Sequence, residues 1–141
     1  MKLCSNIMKS LVLLPLALAS FTAHATVPQP FGAIAYSPSD GLYGISQQTV
    51  NIEAAEQEAM GNCAVLAGGR NCRVVISYGN ACAALAVSAD GAWGADSAIT
   101  TRGELTKGIN EAFAKARAQC QARGGTSCGL EQATCSFDPA L

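Results

Sequence analysis

Histidine is almost missing from this sequence. His24 is the only one among 141 residues, and it sits in the N-terminal stretch Ala23-His24-Ala25. Met1 to Ala25 has the pattern of a secretory signal: Lys2 and Lys9 in front, an apolar stretch from Leu11 to Ala19, then an Ala-x-Ala cleavage site. That apolar stretch is shorter than the roughly 20 residues a membrane span needs, so cleavage is expected rather than anchoring. Cys4 lies too early to be a lipid-attachment site after the apolar stretch. The exported chain, Thr26 to Leu141, would then carry no imidazole at all, which excludes a Ser-His or Cys-His catalytic pair. No Ser-x-x-Lys occurs to replace it through Lys107 or Lys115. Cys-x-x-Cys is absent as well, and with it the usual zinc pattern. Gly68-Gly69 and Gly124-Gly125 lack the Lys-Ser/Thr of a phosphate loop and follow helices, so they read as helix ends. The sequence points to no cofactor.

Positive charge is also scarce. Without Lys2 and Lys9, seven bases face ten acids, a net charge of −3. Such a chain has no electrostatic reason to seek nucleic acid or an anionic membrane surface.

What the exported part does have is an even number of cysteines: Cys63, Cys72, Cys82, Cys120, Cys128 and Cys135. In a small exported domain that argues for three disulfides, and for a periplasmic or secreted location. Thr26 to Pro30 reads as a loose leader. Residues 31–141 are long enough for one domain with a modest core.

The domain reads as a duplication. Ala33-Ile34-Ala35-Tyr36-Ser37 falls on Ala84-Leu85-Ala86-Val87-Ser88, Asp40-Gly41 on Asp90-Gly91, and Tyr43-Gly44 on Trp93-Gly94. Each copy is a strand, an Asp-Gly turn in which both residues can take positive φ, and a second strand with an aromatic. Ala55, Ala59 and Cys63 share one helical face after an Asn51 cap, with Glu53, Glu56 and Gln57 pointing to water. Ala112, Ala116 and Cys120 repeat that face, with Leu105 and Ile109 extending it. Thr101 and Glu104 form a capping-box pattern before the second helix. A cysteine and strand follow each helix, at Cys72 to Tyr78 and at about Leu130 to Ser136. The expected fold is α+β: two β-β-α-β repeats, residues 31–80 and 81–136, forming a six-stranded, mainly antiparallel sheet with both helices packed on it.

These motifs resemble a bacterial family of secreted domains of unknown function, DUF4189. The resemblance rests on Gly32 to Ser37, Tyr43-Gly44, Ala54 to Cys63, Cys72 to Val75, Asn80 to Ala86, Trp93-Gly94 and Ala112 to Cys135. It implies an exported, disulfide-bonded α+β domain and no particular activity.

The repeat narrows the disulfide pairings. Cys63 ends one helix and Cys72 opens the next strand, with Gly68-Gly69 reversing the chain between them; Cys120 and Cys128 repeat this. Cys82 and Cys135 remain, and adjacent antiparallel strands would bring them together.

Three functions are expectations at this point. The first is a non-enzymatic binding module for an envelope protein, such as an immunity or inhibitor protein facing an effector or hydrolase. Tyr36, Tyr43, Tyr78 and Trp93 are its candidate contact residues, because Tyr and Trp anchor interfaces. The alternative for these rings is packing under the helices. The second is an envelope hydrolase using carboxylates alone, although Asp40 and Asp90 read more simply as turn residues. The third is a secreted virulence-type factor acting on host cells.

Overall fold

The structure is a computed structural model, and it describes residues 30–68 and 71–138. The signal and most of the leader expected from the sequence lie outside the described residues. The elements run β1 (Phe31–Ser37), β2 (Leu42–Thr49), α1 (Ile52–Leu66), β3 (Arg73–Gly79), β4 (Ala81–Val87), β5 (Trp93–Ile99), a 3-10 turn (Arg102–Glu104), α2 (Leu105–Ala122) and β6 (Gly129–Ser136). Each half is therefore strand, strand, helix, strand.

The strands form two three-stranded antiparallel sheets, ordered β2-β1-β3 and β5-β4-β6, and not the one six-stranded sheet expected. The first strand of each repeat takes the centre. The reason lies in those two strands. Residues 32–37 and 81–86 are buried without interruption, so both faces of each sheet must be covered. On β1, Ala33 and Ala35 pack with Ala55, Ala59 and Cys63 of α1. Ile34 and Tyr36 point the other way, into a core shared with Ala81, Ala83 and Leu85 of β4. On β4, Ala84 and Ala86 meet Ala112, Ala116 and Cys120 of α2. The result is four layers, helix, sheet, sheet, helix, with the bulkiest side chains between the sheets and alanines under each helix.

Small residues let the helices sit close. Gly44 on β2 and Gly94 on β5 occupy the same place in the two repeats. A Cβ added to Gly44 would lie 2.8 Å from the Asn62 carbonyl carbon and nearer still to Cys63 N and Ala59 O. At Gly94 it would lie 2.6 Å from Cys120 N and nearer still to Ala116 O. The Tyr-Gly and Trp-Gly pairs thus have a mechanical meaning: the glycine admits the helix, and by strand alternation the aromatic turns to the opposite face.

Asn51 caps α1 as expected, its Oδ1 accepting from Ala54 N at 2.7 Å. The Thr101–Glu104 box does not form; the chain takes a 3-10 turn there, and Thr100 Oγ1 donates to Glu104 O. Leu105 is 41% exposed, and Gly108, pressed against Thr100, takes the buried place on α2. Glu56 is half-buried and accepts from Ser77 Oγ instead of facing water. Within the two Asp-Gly turns the glycine takes positive φ, +68° at Gly41 and +88° at Gly91, and the aspartate before it does not. The loops are longer than two residues, so Asp40 and Asp90 serve as side-chain acceptors.

All six cysteines of the domain are bonded: Cys63–Cys72, Cys82–Cys135 and Cys120–Cys128. Cys82 and Cys135 are direct register partners across β4 and β6. Three disulfides fit an oxidising, extracytoplasmic setting. Among the described residues no helix is long and apolar enough to cross a membrane.

Candidate functional site

The four aromatic candidates separate by depth. Tyr36 is 1% and Tyr78 4% exposed, so neither offers a contact surface. Both belong to the core between the sheets. Tyr78 Oη donates to Thr134 Oγ1 at 3.1 Å, tying β3 to β6 across the two repeats. Gln47 Nε2 donates to the same hydroxyl, and Gln48 N to Ser136 Oγ at 2.9 Å, so this seam is polar and satisfied. Burial pushes the Tyr78 phenol up to about 12. Burial also raises Tyr36, helped by the negative charge of Glu131. Tyr43 is half-buried and donates its hydroxyl to Gln132 Oε1 at 3.1 Å. That bond too bridges the repeats.

Trp93 is different. It opens β5, half-buried, with one edge against Tyr36 at 5.9 Å between centroids. Two guanidinium groups lie over its ring: Arg123 Cζ at 4.0 Å and Arg73 Cζ at 4.9 Å from the centroid. The ring's electron-rich face attracts both. The fold positions each arginine firmly. Arg73 opens β3 directly after the bonded Cys72 and lies opposite Tyr36 in register. Arg123 caps the end of α2, its amide bonded to Gln119 O and Cys120 O, and Gly124 turns the chain at φ +92°. Its Nη1 also donates to Trp93 O at 3.0 Å. Disulfides thus hold the segments that carry both cations.

Beside this stack lies an open cleft of about 450 Å³ lined by Asp90, Gly91, Ala92, Trp93, Arg123 and Gly124. Asp90 is committed to the turn. Its Oδ2 accepts from Thr126 N and Oγ1, both at 3.1 Å, and its Oδ1 from Ala92 N at 3.3 Å. Hydrogen bonds from Ser88 and then Thr126 hold its carboxyl below the ordinary 3.8. These bonds join the β4–β5 turn to the α2–β6 loop and so shape the cleft wall. Asp40 makes the matching local bonds, accepting from Ser37 and Ser39 hydroxyls. Both aspartates act as turn acceptors, one in each repeat.

Sequence reasoning selected Trp93 but missed both arginines. Arg73 and Arg123 are exposed, and nothing in their local spacing marks them. The one hint was position, since each lies near a cysteine that ends a helix or opens a strand.

Together these features define a class: a duplicated, disulfide-bonded α+β sandwich with a cation–aromatic cluster at one end. The chain belongs to the DUF4189 family, described as a domain of unknown function, whose model matches residues 31–135. No curated protein and no solved structure matches it.

Proposed function

We propose that this protein is an exported, non-enzymatic binding module that engages a protein of the cell envelope, in the manner of an immunity or inhibitor protein. The observation that carries the reading is the Arg73–Trp93–Arg123 stack beside an open cleft. Trp and Arg are the side chains that most often dominate binding energy at protein interfaces. Here they are held by packing and disulfides, so little conformational entropy is lost on binding. The export pattern at Met1 to Ala25 and the three disulfides support a periplasmic or secreted location.

The test is quantitative capture from envelope extract on immobilised wild-type protein, Trp93→Ala and the remote control Glu58→Gln. Trp93→Phe is the second variant, because it keeps a ring in the core while weakening the guanidinium stack. A defined envelope protein should be retained by wild type and Glu58→Gln, and depleted on both Trp93 variants. Identical retained sets would overturn the reading. So would release of labelled peptidoglycan by purified protein that stops with Asp90→Asn.

A further inference from the structure

The charge at the Trp93 cluster is unbalanced. Arg73 and Arg123 gather two positive charges on a single indole, and like charges at such range repel even in water. Among the described residues the one ion pair joins Lys107 to Glu104, so neither guanidinium is paired with a carboxylate. Of the acids nearby, Asp90 spends its oxygens on Thr126 and Ala92, and Glu131 reaches Tyr36 only through its field. Stacking on the ring leaves the in-plane N–H groups of Arg73 for hydrogen bonds, and those of Arg123 other than the Nη1 donor to Trp93 O. A guanidinium edge matches a carboxylate two bonds at a time.

Resting on the binding-module reading above, we infer that Arg123, which lines the cleft, and Arg73, which lies over the Trp93 ring outside that lining, take carboxylate groups of an acidic protein segment laid along the cleft and over Trp93. The geometry disfavours the other anionic or envelope ligands. A sugar stacking on Trp93 needs an open ring face, and the guanidiniums lie over it at 4.0 and 4.9 Å. A long polyanion such as nucleic acid would meet a chain whose overall charge is negative. A short acidic segment meets the local positive patch without covering the rest of the surface. Its backbone can also approach closely at Gly91 and Gly124, where the cleft wall has no side chains.

Trp93 is the only tryptophan in the chain, so its fluorescence reports directly on the cluster. The experiment titrates the disulfide-bonded protein with an end-blocked hexaglutamate peptide, a matched hexaglutamine peptide and a glucuronate oligosaccharide. Hexaglutamate should give a saturable change at low ionic strength that fades as salt screens it. Arg73→Gln and Arg123→Gln should each weaken binding by about tenfold. Lys107→Gln should leave it unchanged. The inference is overturned by no saturable change, by an equal response to hexaglutamine, by stronger binding of the glucuronate oligosaccharide, or by arginine variants that bind like wild type. The two levels fail separately. If both Trp93 variants lose the captured envelope protein while the arginine variants keep it, the carboxylate assignment falls and the binding module stands.

Discussion

Replacing Gly94 by alanine perturbs the contact on which the second repeat is built. The added methyl would sit 2.6 Å from Cys120 N, and Ala116 O lies closer still. Both obstacles are helix backbone, so no side-chain rotation relieves them. Helix α2 cannot simply slide away, because the Cys120–Cys128 disulfide fastens its end to the start of β6. Overpacking of this kind costs about 1–3 kcal/mol. Alanine returns about 0.4–1 kcal/mol by restricting the unfolded chain. The net loss should be about 1–2 kcal/mol, or a melting temperature lower by roughly 4–9 °C for a domain of this size. Gly61 is the control. It lies within α1 with nothing within 4 Å of an added Cβ, so Gly61→Ala should stabilise by about 0.5–1 kcal/mol. Thermal unfolding followed by circular dichroism, with disulfides intact, reads both. A Gly94→Ala variant melting at or above wild type would refute the close helix–sheet contact.

Replacing Cys82 and Cys135 together by serine opens a loop of 53 residues and should cost about 4 kcal/mol, against about 2.5 kcal/mol for the Cys63–Cys72 pair with its separation of 9; equal denaturant midpoints for the two double variants would contradict the loop argument. Asp90 should titrate below 3.8 in the folded protein, and Thr126→Ala should move that midpoint upward. Because its folded value is depressed, its stabilising contribution is present above 3.8 and disappears as pH falls through the folded value; a carbon-detected NMR titration centred at or above 3.8 would refute the turn's hydrogen bonding. Tyr78 carries the opposite sign, since its folded value is raised to about 12 from 10.0. Its contribution is complete below pH 10.0 and lost as pH rises through about 12, so Tyr78→Phe should flatten part of the alkaline fall in urea midpoint, and an unchanged slope would place that loss elsewhere.

The helix faces and disulfides were legible because each rests on local spacing that occurs twice. Ala55, Ala59 and Cys63 repeat as Ala112, Ala116 and Cys120, and a reversal at Gly68 or Gly124 brings each helix-ending cysteine back to its partner. The split into two sheets was encoded less directly. β1 and β4 have no polar alternation, which requires cover on both faces, but pairing within one sheet or stacking of two both satisfy a short apolar run. The site was half legible. Trp93 stands out by type, whereas Arg73 and Arg123 come together only after β3, β5 and the end of α2 are packed. Tyr36 and Tyr78 show the reverse: a polar tip made them candidates for contact, and packing between the sheets hides both.

The single tryptophan allows the most direct test of the Trp93 cluster as the binding surface. Acrylamide quenching of Trp93 fluorescence would be measured for the free protein and for its complex with the envelope protein retained in capture. The ring is half-buried in the free protein, so a binding partner seated on it should lower the quenching constant clearly. An unchanged constant in a saturated complex would place the partner elsewhere and contradict the assignment.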